Sequence, residues 1–131
     1  MPRKINEHVW DKLSEHLDDS DKEYVLEKFS DCFDYSPNQH WTSVIADLVK
    51  IMKHRETYNK DLNYKVTQVK TKFGRMRFYV ENCDDYLYGA IRLAEEQCYK
   101  ICNTCGSYGK EKLNTGSYNK SHCTWCTNLY Y

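Results

Sequence analysis

Four cysteines in the last third of the chain have the spacing of ligands in a structural zinc site. Cys102 and Cys105 are separated by two residues, seventeen residues follow, and Cys123 and Cys126 repeat the two-residue gap. A two-residue gap lets one tight turn present two sulfurs to the same ion, and zinc takes four ligands in a tetrahedron. Gly106 suits the backbone of such a turn. We therefore expect a Zn²⁺ ion held by the four thiolates.

The expected zinc site is structural. A shell of four thiolates leaves no coordination position for an activating water, so the metal would stabilise the fold and would not catalyse a reaction. Disulfides, a redox-active cysteine pair and an iron–sulfur cluster are the alternative interpretations of the same cysteines. His122 directly precedes Cys123 and is an alternative ligand in place of one thiolate.

No residue pattern predicts catalysis. The chain has no P-loop, no Gly-x-Gly-x-x-Gly loop, no Gly-x-Ser-x-Gly elbow and no HExxH motif. Cys32 and Cys98 fall on apolar stripes, where cysteine behaves as a small hydrophobe. Asp84 and Asp85 could hold a metal or transfer a proton, as a nuclease would need, but capping of a helix is the simpler interpretation. We therefore predict no catalytic residues and no enzymatic activity.

A second chemical feature is a cationic segment interleaved with the aromatic residues Phe73 and Tyr79. The candidate residues for contact with a partner or with nucleic acid are Lys70, Lys72, Arg75, Arg77 and Tyr79. Such side chains can contact phosphates and stack on bases. The same alternation also occurs in any exposed hairpin that has one apolar face.

Charge is spread unevenly along the 131 residues. Residues 1–40 carry 5 basic and 10 acidic residues, residues 41–80 carry 9 and 3, and residues 81–131 carry 5 and 6. The basic segment at residues 41–80 is either a solvated surface or a binding surface for nucleic acid or an acidic partner. No apolar run approaches the ~20 residues that span a bilayer, and the first residues do not resemble a signal peptide. Because cysteines with ligand spacing suit a reducing compartment, we expect a cytoplasmic protein.

The first two helices are predicted from apolar residues at helical spacing. The first should run from Asn6 to Leu17. Ser20 and Glu23 have the spacing of a capping box, which opens a second helix that should end near Tyr35. The residues expected to face inward from the second helix are Val25, Phe29, Cys32 and Phe33.

The third helix has the clearest pattern. Ser36 is placed to cap it, with Pro37 at its first position and Gln39 at its third, and the helix should end near Thr57. Its expected buried stripe consists of Trp41, Ile45, Leu48 and Met52.

After Asn63 the pattern becomes that of a β-hairpin. Residues 64–70 and 75–80 are the predicted strands, and Gly74 supplies the unusual backbone angle of the turn between them. The residues expected to face the core are Met76, Phe78 and Val80, and those expected to face outward are Arg75, Arg77 and Tyr79.

A fourth helix, capped by Asp84 or Asp85, follows the hairpin. Its expected buried stripe is Leu87, Ile91, Ala94 and Cys98. The predicted class is α+β: N-terminal helices packed on a β-hairpin, a further helix and a C-terminal zinc ribbon. Residues 1–101 would form the helical and hairpin domain, and residues 102–131 a zinc-ribbon-like subdomain.

Residues 68–79, which read QVKTKFGRMRFY, resemble a motif of small phage and prophage proteins of no settled function. That motif reads "QVKxKFGxLRFY". In those proteins a tryptophan-led helix precedes it, a helix containing Ala-Glu follows, and two cysteine pairs come last. Trp41, the pair Ala94 and Glu95, and the cysteines match this order, so the resemblance covers residues 40–126.

Two positions depart from the family pattern. Met76 replaces the usual leucine, which is conservative, and Cys126 stands where family members often have histidine. The second departure keeps metal binding but leaves the ligand identity open. The resemblance implies a non-enzymatic phage accessory protein of the bacterial cytoplasm that inhibits or redirects a host complex, such as a defence system, a polymerase or a nuclease. Nucleic acid is the alternative partner, and a homodimer would suit a ribbon beside exposed tyrosines.

Overall fold

Four helices and a three-stranded sheet make up the main body of the chain, so the predicted α+β class is confirmed. The computed structural model describes residues 7–107 and the short strands at 112–113 and 122–123. The elements are α1 (Glu7–Ser14), α2 (Asp19–Lys28), β1 (Asp34–Ser36), a 3-10 turn (Gln39–Trp41), α3 (Thr42–Tyr58), β2 (Lys65–Lys72), β3 (Arg75–Glu81), α4 (Asp85–Tyr99), β4 (Lys112–Leu113) and β5 (His122–Cys123). Within these described residues, no helix has both the length and the apolar character needed to cross a membrane.

The first two helices begin or end differently from the prediction. α1 stops at Ser14 and does not reach Leu17. α2 is capped by Asp18, whose carboxylate accepts the backbone N–H of Asp21 at 2.8 Å. An aspartate satisfies a free helix N–H and also places a negative charge at the positive end of the helix dipole. The predicted capping box that begins at Ser20 is therefore wrong.

The predicted continuation of α2 to Tyr35 is also wrong. α2 ends at Lys28, and Asp34–Ser36 forms β1, which pairs parallel with β2 and places Tyr35 opposite Val69. The backbone of this segment takes its hydrogen bonds from a distant strand, so it cannot continue a helix. Phe33, predicted to face inward, is 56% exposed, and its N–H donates to the carbonyl of Thr67. The other predicted inward residues, Val25, Phe29 and Cys32, are buried.

The third helix is confirmed as α3, but its start signal is not the predicted one. Asn38 accepts the N–H of His40 at 2.8 Å and caps the 3-10 turn that leads into the helix. Ser36 lies in β1, so its predicted capping role is wrong. The predicted stripe is fully buried: Trp41, Ile45, Leu48 and Met52.

β2 and β3 form the predicted hairpin. Phe73 and Gly74, in the turn between them, have φ values of 54° and 75°. Two successive positive φ angles are typical of a type I′ turn, whose twist matches that of the strands. The prediction for Gly74 is confirmed, whereas the positive φ of Phe73 was not foreseen. Met76 and Phe78 are buried, and Val80 is partly buried against the core.

A β-bulge in β2 explains its weak alternation. The pairing register with β3 shifts between Val66 and Gln68, so the strand has an extra residue at Thr67. The bulge turns Val66 and Val69 to the same face, and both are fully buried.

The core lies between one face of the sheet, ordered β1-β2-β3, and the helices. α4 packs on β3 and on α3, and it begins at Asp84, whose carboxylate accepts the N–H of Leu87 at 3.1 Å. This cap and the predicted stripe of α4 are confirmed: Leu87, Ile91, Ala94 and Cys98 are buried. The predicted zinc ribbon and the division at residue 101 stay predictions.

Candidate partner-binding face and metal site

The hairpin brings four basic side chains together on its outward face. Lys70 lies directly opposite Arg77, and Lys72 lies directly opposite Arg75. Because side chains alternate along a strand, all four project from the side of the sheet that faces away from the core, as does Tyr79. We call these five residues the basic face. The predicted contact residues are therefore brought together by the strand register.

Two like-charged cross-strand pairs are unfavourable for the isolated protein. Directly opposite residues have Cβ atoms about 4.5–5.5 Å apart, and like charges at that separation destabilise a sheet. Arg75 is compensated, since it contacts Glu96 at 3.2 Å and stacks 3.8 Å from the ring centroid of Tyr99. Among the residues that the structure describes, no carboxylate lies within 4.0 Å of the charged groups of Lys70 or Arg77. An anionic surface from outside would relieve this repulsion.

Acidic residues border the basic face. By the same register, Asp34 of β1 lies beside Gln68, and Glu81 at the end of β3 lies opposite Lys65. Both carboxylates therefore belong to the outward side of the sheet. The surface is a compact cationic block with negative charge at two margins, and not a continuous basic stripe.

Aromatic side chains at the basic face are few but exposed. Tyr79 is 46% exposed within the face, and Phe73 is 55% exposed at the turn. Lys72 Nζ lies 5.8 Å from the ring centroid of Phe73. A left-handed conformation is unfavourable for an aromatic residue by about 1–2 kcal/mol. The hairpin therefore holds an exposed ring in a strained position beside the cationic block.

The first cysteine pair lies in a tight turn of the kind that the spacing predicts. Cys102 is fully buried, and its Sγ accepts the N–H of Thr104 at 3.4 Å. The N–H of Gly106 donates to the carbonyl of Cys102 at 3.0 Å, with a φ of 78° at Gly106. Cys105 is exposed, and its Sγ lies 3.0 Å from Ser107 Oγ. A tight turn that carries two cysteines separated by two residues fits a zinc ligand pair.

The cysteine turn is attached to the main body by the turn that precedes α3. Asn38 Nδ2 donates to the carbonyl of Asn103 at 3.3 Å, and His40 Nε2 lies 3.2 Å from the carbonyl of Thr104. A Cβ added at Gly106 would lie 2.8 Å from His40 Nδ1, so only glycine allows this approach. Sequence reasoning missed Asn38 and His40, because neither lies near the cysteines in the chain.

The second cysteine pair is only partly described. β4 and β5 pair antiparallel, with Cys123 opposite Lys112 and His122 opposite Leu113. Cys126 lies outside the described residues, so the ligand set and the alternative with His122 stay predictions. Within the residues that the structure does describe, no group of three histidine, cysteine, aspartate or glutamate side chains is close enough to hold a metal.

Asp84 has a structural environment. Besides the N–H of Leu87, its carboxylate accepts the hydroxyl of Tyr64 at 2.8 Å and a hydrogen bond from the Arg55 guanidinium. Burial raises the pKa of Asp84, but the hydrogen bonds from Tyr64, Leu87 and Arg55 outweigh it and hold the pKa below its usual value. Asp85, the second candidate, is exposed at the start of α4.

The cysteines outside the predicted zinc site are poor nucleophiles. Cys32 and Cys98 are buried, as predicted. Burial raises the pKa of Cys98 to about 12. Burial also raises the pKa of Cys83, with further contributions from Asp84 and Asp85. Thiols with raised pKa values stay protonated at neutral pH, and the thiol is a weak nucleophile.

No protein-family model, no curated protein and no solved structure matches this chain.

Proposed function

We propose that this chain is a non-enzymatic, zinc-containing phage accessory protein that binds a host macromolecular complex through its basic face and inhibits or redirects it. The host complex would be a defence system, a polymerase or a nuclease, in the bacterial cytoplasm. The motif at residues 68–79 supports a phage origin. The residues that carry the motif are the residues of the hairpin that bears the basic face.

The observation that carries the proposal is the placement of Lys70 opposite Arg77. Neither side chain has a carboxylate within 4.0 Å among the described residues, and Glu95 attracts Arg77 only from a longer distance, so the like-charged pair is unfavourable for the protein when it is alone. Opposite charges at such a position would stabilise the sheet instead. A repulsive pair on an exposed face is explained if an acidic surface covers it in the functional complex.

The margins of the basic face favour a protein partner. A nucleic-acid backbone that crosses the sheet would meet Asp34 on one side, and one that follows the strands would meet Glu81. Both carboxylates would repel phosphates. A protein surface can place a basic residue at each margin and acidic residues in the centre, which is the charge complementarity of specific protein interfaces.

Zinc would stabilise the C-terminal part of the protein. Cys102, Cys105, Cys123 and Cys126 would hold the ion, and four thiolates would leave no position for substrate or water. The contacts of Asn38 and His40 attach the first cysteine turn to the main body. The role of the metal would therefore be to fix the tail against the domain.

A pull-down from bacterial lysate tests the proposal. The tagged wild-type protein, a Lys70→Glu/Lys72→Glu variant and a Lys50→Glu/Lys60→Glu control are immobilised, incubated with lysate and washed with nuclease at low and high salt, and bound proteins are identified. Lys50 and Lys60 are exposed and lie outside β2 and β3, so the control changes the net charge by as much as the double variant does. A stoichiometric host protein that is retained by wild type and control but lost by the double variant is the expected result. Equal recovery by all three proteins would refute the basic face as the contact surface.

Nucleic-acid binding is the second candidate function. Exposed Tyr79 and Phe73 beside four cations favour it, because aromatic rings can stack on bases while cations contact phosphates. It predicts an affinity for DNA or RNA that falls steeply with salt. On duplex DNA, each phosphate that the protein neutralises adds about 0.9 to the slope of the logarithm of the binding constant against the logarithm of the salt concentration. Arg75→Ala and Arg77→Ala would each reduce that slope. Affinity that does not depend on salt or on these arginines would exclude this function.

A further inference from the structure

A groove runs along the outer edge of the sheet, between β3 and α4. Its volume is about 520 Å³, within the range of ligand sites in proteins. β3 lines it along most of its length, from Arg75 to Val80. α4 lines it with one face of the helix, from Tyr88 to Glu96. Because the groove follows an edge strand, an extended peptide could lie along it.

The floor of the groove is an edge strand with backbone groups that face outward. β3 is the last strand in the order β1-β2-β3, and none of the strands that the structure describes pairs with its other side. The N–H of Phe78 points away from β2, because it donates to Glu95 Oε2 at 3.2 Å. Backbone groups of alternate residues point the same way in a strand, so Met76 and Val80 share this orientation. The edge can therefore accept a further strand.

Glu95 occupies the position that an added strand would need. Its carboxylate oxygen accepts the N–H of Phe78, as the backbone carbonyl of a neighbouring strand would. Burial raises the pKa of Glu95, although the hydrogen bond from Phe78 and the charges of Arg77 and Arg92 act in the opposite direction. The partly buried carboxylate thus gives up part of its hydration for this contact. A peptide carbonyl, which carries no charge, can replace it and let the carboxylate return to water.

The charges in the groove indicate the sequence of the occupant. Three arginines and two glutamates line it, and Arg75 is already paired with Glu96 at 3.2 Å. The positive charges of Arg77 and Arg92 are then balanced only by the single negative charge of Glu95. An acidic side chain on the occupant would balance the excess positive charge. Phe78 and Ile91 add apolar surface beside these charges.

We propose that a segment of the protein partner binds in this groove as an added strand along the outer edge of β3, with an acidic side chain directed to Arg77 and Arg92. The segment displaces Glu95 from the N–H of Phe78 and extends the sheet to a fourth strand. This inference rests on the proposed function only for the existence of a protein partner. The basic face lies beside the groove and shares Arg75 and Arg77 with it, so one partner could contact both.

The test uses defined peptides and the isotope-labelled full chain. The probe is the heptapeptide acetyl-Glu-Val-Glu-Val-Glu-Val-Glu-amide, and its control has N-methyl groups on alternate backbone nitrogens, which removes strand hydrogen bonds but keeps the charge. We expect the probe to shift the amide signals of Phe78 and Val80 and to slow their exchange with solvent, and the N-methylated peptide to do neither. Equal binding of both peptides, or no binding of the probe at about 1 mM, would overturn the proposal.

Two carboxylate variants separate strand addition from general attraction. Glu95→Ala removes the competitor for the N–H of Phe78, whereas Glu81→Ala removes the same charge at an exposed site outside the groove. We expect Glu95→Ala to bind the probe about tenfold more tightly than Glu81→Ala does, which corresponds to one net hydrogen bond. Equal affinities of the two variants would mean that the peptide responds only to net charge, and strand addition would be wrong.

The two proposals fail in different ways. If the lysate partner depends on Lys70 and Lys72 but the probe does not reach the groove, the proposed function holds and strand addition is wrong. If the probe binds in the groove but no host protein is recovered by the wild-type chain, the groove is a peptide site and the proposed function is wrong.

Discussion

Reversing one charge of the basic face should make the isolated protein more stable. Lys70→Glu replaces the repulsive pair Lys70 and Arg77 with an attractive one across the strands. A favourable cross-strand charge pair contributes about 0.2–1 kcal/mol, and a like-charged pair has a similar effect of opposite sign. We therefore expect the free energy of unfolding to rise by about 1 kcal/mol. For a chain of this length, that corresponds to a rise in Tm of roughly 4 °C.

The assay is urea and thermal unfolding at low salt and at about 1 M NaCl, where the Debye length falls to about 3 Å and the gain should largely disappear. Lys70→Ala should give about half of the gain, because it removes the repulsion without adding attraction. Lys72→Glu should give less, since its opposite residue, Arg75, already contacts Glu96 and Tyr99. Lys60→Glu controls for net charge. If Lys70→Glu left the stability unchanged or lowered it, or if its gain did not respond to salt, Lys70 and Arg77 would not repel each other as proposed.

Three further predictions concern the rest of the molecule. Asp84→Ala should lower the free energy of unfolding by about 1–2 kcal/mol because the α4 cap is removed. The folded pKa of Asp84 lies below its ordinary value, so its contribution to the free energy of unfolding is full above about pH 4 and is lost as the pH falls through the folded pKa. Urea unfolding at several pH values should therefore show that the stability of the variant depends less on acid than that of the wild type. Glu56→Ala should lower the free energy of unfolding by about 3 kcal/mol in urea, since it removes the carboxylate 2.8 Å from the buried ammonium of Lys28 and leaves only Glu27, at 4.0 Å, as an ion-pair partner. A decrease under about 1 kcal/mol would contradict this. Cys102→Ser should lose bound zinc in elemental analysis while Cys32→Ser retains it, and equal metal content in both would remove Cys102 from the ligand set.

The residue pattern predicts the helices and strands that are determined by residues close together in the sequence. α3 and α4 were predicted because their apolar residues recur at helical spacing, and the hairpin because Gly74 separates two alternating segments. β1 could not be predicted in this way. Asp34–Ser36 has no strand pattern of its own, and it becomes a strand only because residues 68–70 of β2 offer it backbone partners.

The sequence likewise predicted the parts of the candidate site that depend on local pattern and missed those that depend on tertiary contacts. The alternation in β3 placed Arg75, Arg77 and Tyr79 on the outward face, and the structure agrees. The like-charged opposition of Lys70 and Arg77 depends on the turn type, and the positive φ of Phe73 that completes this turn has no signature in residue type. The attachment of the cysteine turn through His40 depends on tertiary packing, so spacing along the chain could not reveal it.

The parallel pairing of β1 with β2 also bears on how the chain folds. The hairpin closes through a two-residue turn, whereas pairing of Tyr35 with Val69 must close a loop that contains all of α3. Closure of a long loop loses more chain entropy, and contacts distant in sequence usually form late. We expect β1 to join the sheet after the main kinetic barrier, so that Tyr35→Ala, which removes a buried ring, accelerates unfolding and leaves the refolding rate nearly unchanged. The pairing of β1 with β2 would then mainly set the unfolding rate, and so the lifetime of the native state. It would have little effect on the folding rate.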